Sequence, residues 1–371
     1  MHGVILLQQL LHAESVPGYV IGWGNNGGGQ ATGVSPFDFT NGVAIVTGTP
    51  WSTGTVTVAG QVLSNAASVT AGFFHGLALR ADGTVVGLGD NFLGQTFGDN
   101  LPDKGTRNGI VTITGRILSN LVSLVASRNF SLALKQDGTV VTWGENIVPE
   151  GLTNVAAVAA EWGKGWALKR DGTIVGWMSS PSSHGYGQLL PEKSVSNAVA
   201  IAVGPGGYFT LGVALLRDGT VANWGRKFEH PDANPPAGLS NVVAVAAGAG
   251  HSLALKQDGT VVGWGWNKSR EATGEATSDM PNMDNFSSGP VRLHGQLLTN
   301  VVAIAAGHSY SMALKKDGTV VAWGKMGDSQ RPATVPEGLN NVVAIAAGAE
   351  DFCLAITTNK AVADRFATGR N

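Results

Sequence analysis

The chain predicts an all-β fold: a seven-bladed β-propeller of four-stranded antiparallel blades, closed by the N-terminal strand completing the C-terminal blade. Three observations carry this. A stretch reading roughly N-V-V-A-I-A-A-G…H-S-L-A-L-K-x-D-G-T-V-V-x-W-G returns seven times, most cleanly over Asn241–Gly265 and Asn300–Gly324, with looser copies from Asn65, Asn120, Asn154, Asn197 and Asn341. Six copies carry a D-G-T, opened by Asp82, Asp137, Asp171, Asp218, Asp258 and Asp317. The seventh copy stops at Thr357-Thr358-Asn359, and its missing third strand stands at the other end as Tyr19-Val20-Ile21-Gly22-Trp23-Gly24. An open ring leaves unpaired strand edges and closure removes them, so the first strand is expected to finish the last blade.

Each element has a physical reason. Val301–Ala306 is a continuous apolar run of strand length, as expected of a strand covered on both faces, and its alanines suit the crowded axis of a propeller. Gly307 permits the turn. Ser309–Lys315 is a second strand, and Lys316-Asp317-Gly318 a tight hairpin with Asp-Gly at the positive-φ positions. Thr319–Trp323 returns as strand three, its Trp a plate that packs between blades. A helical solenoid is the rival for any such repeat, and the β-branched content, the Asp-Gly turns and 53 glycines argue against it.

Composition bounds the function. At 371 residues two domains would be expected by length alone, but the repeat is continuous, so one propeller is expected over residues 18–357, with an apolar arm at 1–17 and a tail at 358–371. A net charge of −2 gives no electrostatic reason to expect nucleic acid. No run is long enough to cross a bilayer. Cys353, alone, forms no intramolecular disulfide and reads as core filler.

These repeats resemble the RCC1-repeat family of seven-bladed propellers, over about Gly18–Thr357 and including the split-blade closure. The links Pro149-Glu150-Gly151-Leu152 and Pro336-Glu337-Gly338-Leu339 resemble the bacterial branch, which includes a secreted β-lactamase inhibitor of this fold. The resemblance implies regulation, inhibition or light sensing rather than one activity. Exchange-factor members engage a small GTPase, and chromatin-binding ones add a basic tail. Met1–Pro17 here has no Lys or Arg, and the G-W-R-H-T motifs of the photoreceptor branch are absent. Bacterial RCC1-like chains of this low charge and near-absence of Cys are often secreted or surface proteins, so the resemblance implies an extracellular or cell-surface, bacterial setting.

An enzyme is not expected. The eight histidines are scattered, no nucleophile elbow or phosphate loop stands out, and no cofactor or metal is called for. His75, His251 and His308 read as one repeat slot just after the first strand, where a hydrogen bond to a neighbouring turn is sufficient explanation. Asn129-Phe130-Ser131, Asn267-Lys268-Ser269 and Asn285-Phe286-Ser287 match the N-glycosylation pattern.

With strands lettered A to D outward, the A–B and C–D loops share one face and the uniform B–C hairpins the other. The A–B loops vary and are rich in aromatics, which dominate binding hot spots. They supply Phe73, Phe74, His75, Arg128, Phe130, Trp162, Lys164, Tyr208, His251, His308, Tyr310 and Asp351. Three long links, Asn25–Ser64, Asp90–Ser119 and Trp266–Thr299, add Trp51, Phe92, Phe97 and Trp266. Loops of this length are uncommon unless functional. Each link ends in a strand-like run, Thr55–Val58, Val111–Ile113 or Val291–Leu293, expected as strand D. The reading is a non-enzymatic protein-binding scaffold. The alternatives are a self-assembling structural subunit, an inhibitor of a secreted enzyme, and an exchange factor. Self-assembly would use the arm residues Val4, Ile5, Leu6, Leu7, Leu10 and Leu11, which make a poor signal peptide because Gln8-Gln9 interrupts them and no positive charge precedes them. Partners are therefore another protein or further copies of this chain.

Overall fold

Every repeat begins at an asparagine with left-handed backbone. Asn65, Asn120, Asn154, Asn197, Asn241, Asn300 and Asn341 all have φ between 50° and 62°. Asn tolerates this region better than other residues bearing a Cβ. Its carbonyl accepts the N–H of Ala81, Gln136, Arg170, Arg217, Gln257, Lys316 or Thr358, tying the start of strand A to the far end of strand B. The computed structural model describes residues 17–27, 30–32, 37–40, 43–46, 51–58, 60–98, 109–145, 148–178, 195–205, 211–225, 234–275, 286–326, 331–349 and 351–367. The arm residues Val4 to Leu11, and Tyr208, lie outside them.

Seven antiparallel sheets form the blades. Blade I is Ala66–Ala71, His75–Arg80, Val85–Gly89 and Gly109–Ile110. Blade II is Leu121–Ala126, Phe130–Lys135 and Val140–Gly144; blade III is Val155–Glu161, Lys164–Lys169 and Ile174–Met178. Blade IV is Ala198–Val203, Leu211–Leu216 and Val221–Gly225. Blade V is Val242–Ala247, His251–Lys256, Val261–Trp266 and Phe286–Pro290; blade VI is Val301–Ala306, Tyr310–Lys315, Val320–Met326 and Arg331–Pro332. Blade VII joins the chain ends: Val342–Ala347 and Phe352–Thr357 pair with Tyr19–Asn25, which pairs with Trp51–Thr55. The expected closure is therefore present, with Trp23 opposite Cys353. Strand D is described in blades VII, I, V and VI.

One register rule holds the ring. The strand-C aromatic always stands opposite a small strand-B residue: Ser131 opposite Trp143, Gly165 opposite Trp177, Gly212 opposite Trp224, Ser252 opposite Trp264, Ser311 opposite Trp323, and Cys353 opposite Trp23. In blade I the pair is Gly76 and Leu88. A Cβ on Gly165 or Gly212 would fall inside the indole beside it. The plate so seated lies on the preceding blade. Trp143 shares a buried cluster with Leu77 and Leu79 of blade I, and Trp264 with Val213 and Leu215 of blade IV. Trp224 meets Trp166 of blade III at 5.7 Å between ring centroids. Leu88 lies on Leu354 and Ile356 of blade VII, which shuts the ring. On the hairpin side, Val155, Ala198, Val242, Val301 and Val342 donate their N–H to Gly138, Gly172, Gly219, Gly259 and Gly318 of the blade before.

Two expectations need correction. The D-G-T hairpins have positive φ at Gly alone, with Lys135 N–H on the Thr139 carbonyl and Gly138 N–H on the Lys135 carbonyl. This is a type I turn with a glycine bulge rather than a mirror-image turn. The runs expected as strand D lie one step too far along. Thr57–Val58 with Gln61–Val62, Thr112–Ile113 with Arg116–Ile117, and Arg292–Leu293 with Gln296–Leu297 are small ribbons after strand D. The tail contains a helix, Lys360–Ala367, started by Asn359, whose Oδ1 accepts the Ala361 and Val362 N–H groups. It buries Val362, Ala363 and Phe366 against blade VII, and the Thr55 hydroxyl donates to the Ala363 carbonyl.

Each hairpin Asp accepts from the backbone N–H and hydroxyl of the Thr two residues on, as Asp258 does from Thr260 at 3.0 and 2.6 Å. These bonds favour the carboxylate and hold Asp258 down at about 2 from 3.8. The group stabilises the fold above its unfolded value, and that contribution is lost as pH falls through about 2. A carboxyl chemical-shift titration will place Asp258 near 2. Trp264→Ala is expected to cost about 3–5 kcal/mol, and Gly165→Val at least about 2 kcal/mol by overpacking, both read from urea midpoints.

Candidate functional site

The A–B turns close over the ring axis. Phe73 N–H donates to the Ser127 carbonyl at 3.0 Å, Ala249 to His308 at 3.3 Å, and Ala349 to Gly72 at 2.9 Å, each crossing to another blade. Gly72 must lack a side chain because a Cβ there would strike the Ser127 carbonyl. Below lies an axial cavity of about 340 Å³ lined by strand-A residues of every blade. The C–D links leave from the same side. Asp90, Glu145, Trp266, Lys325 and Asn25 donate their N–H groups to Phe74, Asn129, Gly250, Ser309 and Asp351 in the A–B turns.

Part of the expected aromatic surface is assembled here. Phe73 meets Trp162 edge-on at 5.3 Å and lies 6.1 Å from Phe74. The Arg128 guanidinium stands 3.8 Å over the Trp162 ring, so blades I, II and III meet in one aromatic–cation cluster. Lys164 Nζ sits 3.4 Å from Glu161 Oε1 beside it, and Glu161 lines the cavity. Phe92, on the C–D link of blade I, is 62% exposed, and Trp266, the last residue of strand C in blade V, is 39% exposed and leans on Phe286 of strand D at 6.4 Å. Trp51 takes the Arg331 guanidinium at 4.9 Å, and Phe97 is half-buried over Gly109. The exposed aliphatics Val62, Ile117 and Leu297 stand one to a ribbon on the opposite face.

Several expected contact residues are core. His75, Phe130, His251 and Tyr310 have no exposed surface, and Phe73 and Asp351 almost none. His75, Phe130, His251 and Tyr310 open strand B opposite the strand-C glycines Gly89, Gly144, Gly265 and Gly324, and the His251 and Tyr310 rings lie against the A–B turn glycines Gly248 and Gly307. Lys164, at the same step, is also buried. Asp351 is a turn residue with φ 63°. His308 is not in the slot of His75 and His251. The pairing gives that slot to Tyr310, and His308 lies two residues earlier, exposed, with Nδ1 3.0 Å from the Ser309 hydroxyl. Tyr310 Oη lies 2.9 and 3.0 Å from the Gly348 and Phe352 carbonyls of blade VII. Burial pushes the Cys353 thiol up to about 12, which leaves it unreactive.

One motif escaped the sequence reading. Asn26…Gln30, Asn91…Gln95 and Asn267…Glu271 share a spacing of four at the start of the three long links. Each Asn Oδ1 accepts two backbone N–H groups: Ala31 and Thr32, Thr96 and Phe97, Ala272 and Thr273. The same geometry removes two glycosylation candidates, because Asn267 Nδ2 is spent inside this turn and Ser131 is wholly buried. Among the described residues no group of three or more His, Cys, Asp or Glu could hold a metal ion. No described helix is long and apolar enough to cross a membrane.

The family described as the Regulator of chromosome condensation (RCC1) repeat matches residues 66–95, 121–147, 242–270 and 301–330, which are blades I, II, V and VI. The chain carries RCC1 repeats. It is 31% identical over 164 residues to the ultraviolet-B receptor UVR8 of Arabidopsis thaliana, covering 37% of this chain and 35% of that protein. It is 32% identical over 141 residues to the regulator of chromosome condensation of Drosophila melanogaster, covering 34% and 24%. The matches thus span about a third or less of these relatives. The crystal structure of Prp20p from Saccharomyces cerevisiae superposes with a TM-score of 0.64, covering 100% of this chain and 99% of that one, at 18% identity. That likeness speaks for the fold alone. These relatives are eukaryotic and give no support to the bacterial placement.

Replacing a face residue and a slot residue separates the two roles. Trp162→Ala should lower stability by less than about 1.5 kcal/mol, because its ring is only half-buried and its contacts with Phe73 and Arg128 lie on the surface of the face rather than in a seam. Phe130→Ala should lower it by about 3–5 kcal/mol in the same urea titration.

Proposed function

We propose that this RCC1-repeat propeller is a non-enzymatic protein-binding module that engages its partner through the A–B/C–D face. The observation that carries the reading is the pair of exposed aromatics, Phe92 and Trp266, standing on the same face as the Phe73–Phe74–Arg128–Trp162 cluster. Rigid aromatics and Arg supply large contact area at small ordering cost and are enriched in hot spots. Phe92 stands just after strand C of blade I and Trp266 ends strand C of blade V, and strands A to C of both blades obey the same register rule as the rest, so the recognition elements vary over a fixed frame. Prp20p, which has this fold, is described as binding Gsp1p and histones, and the fold is suited to protein partners. The partner here is a protein rather than nucleic acid, because the chain's net charge of −2 offers no basic field.

The test uses the intact chain as bait. A Phe92→Asp/Trp266→Asp variant is expected to lose captured partner at least tenfold, while Ile117→Asp on the opposite face retains it. Unchanged capture by the double variant, with loss in Ile117→Asp, would move the partner site to the hairpin face.

A further inference from the structure

The two links that start at the exposed aromatics share a three-part hydrogen-bond relay, to which blade V adds a bond from the Trp323 Nε1–H to the Glu271 carbonyl at 2.9 Å. His75 Nε2 of blade I lies 2.8 Å from the Ser131 hydroxyl of blade II, which donates at 2.8 Å to the Gln95 carbonyl in the C–D link of blade I. His251 Nε2 of blade V lies 2.8 Å from the Ser311 hydroxyl of blade VI, which donates at 2.8 Å to the Glu271 carbonyl in the C–D link of blade V. A carbonyl only accepts, so the single serine proton goes to it. The histidine must then donate from Nε2, which fixes its tautomer. Nδ1 is left as a bare acceptor, with no partner among the described residues in either histidine. Blade VII also has the Asn turn but carries Phe352 and, across the seam, Gly76 at the two relay positions. The relay thus occurs where Phe92 stands on the link or Trp266 directly precedes it.

We infer that His75 and His251 are positioning residues for the C–D links of blades I and V, and that protonating them releases those links from the ring. A proton on Nδ1 would create a buried donor facing no acceptor, in a site built for the neutral ring. Burial holds both histidines down at about 3 from 6.5, and for His251 the exposed His308 across the seam adds repulsion. Burial alone acts on His75. Of the acids on these links, Asp90 accepts from the Gln95 amide at 3.1 Å, and Glu271 accepts the Ser269 N–H at 2.7 Å with Lys325 nearby. The linkage sign follows: a base held below its unfolded value stabilises the closed seam above about 6.5, and that stabilisation drains away as pH falls toward 3. From pH 7.5 to pH 5 the opening equilibrium of each link should rise about 30-fold. Regulation of partner binding by acid rests on the proposed face; the release of the links does not.

The experiment is hydrogen–deuterium exchange of the whole chain at pH 7.5 and pH 5, corrected for intrinsic exchange rates. Segments 90–98 and 266–275 should lose protection at pH 5. His75→Gln keeps an N–H donor but cannot take the proton, so it should preserve protection of 90–98 at pH 7.5 and abolish its acid response. Segment 266–275 should still respond in that variant, and His251→Gln should show the reverse. Ser131→Ala should leave 90–98 weakly protected at both pH values. Equal protection at the two pH values in the unsubstituted chain, or an acid response that survives His75→Gln, would overturn the inference. Because no partner is used, failure here is distinct from failure of the bait experiment.

Discussion

The structure depends on an indole lying in the gap left by a small residue. In six blades a strand-C Trp stands opposite Gly, Ser or Cys on its own strand B and presses its other face on the strand B of the blade before. Neither half works alone. A larger strand-B residue would lift the plate, and a smaller strand-C residue would open a cavity at the seam. Because the contact runs between blades, each blade is completed only by its neighbour, and a linear stack would leave one face bare. Blade VII resolves this by joining the two chain ends, and Leu88 seals the last seam. The C-terminal helix then covers the join with Val362 and Phe366.

That arrangement leaves strands A to C little freedom and the C–D links a great deal. Blades VII, I and V use it. Each opens its link with an Asn whose side chain imitates a backbone turn, with the exposed Phe92 just after that Asn in blade I and the exposed Trp266 just before it in blade V. The A–B turns of blades I to III contribute the complementary patch, where Arg128 lies flat on Trp162. Protein recognition fits this division, since a rigid frame lowers the ordering cost of binding and the links set specificity.

Legibility in the sequence followed the range of each interaction. The repeat, the hairpins and the split blade are local patterns, and Tyr19–Gly24 matched the missing third strand closely enough to predict its pairing with Phe352–Thr357. Strand D was misplaced because Thr112–Ile113 and its counterparts look like strand, and are strand, but belong to ribbons of two residues per arm. The slot of His75 was misread at His308, where aligning on His-Ser instead of counting from Gly307 moved the register by two residues and exchanged an exposed His for the buried Tyr310. The relays were invisible because Ser131 lies 56 residues from His75, and Ser311 60 residues from His251, in repeats that give no local sign of the contact.

The central claim is that the seven blades form one cooperative frame through their seams, closure included. Exchange of the strand-B amides followed through increasing urea tests it directly. The account predicts that blade VII, though made from both ends of the chain, opens in the same global transition as blades I to VI. Exchange of Phe352–Thr357 through a separate, much lower-energy opening, with the other strand-B segments still protected, would contradict it.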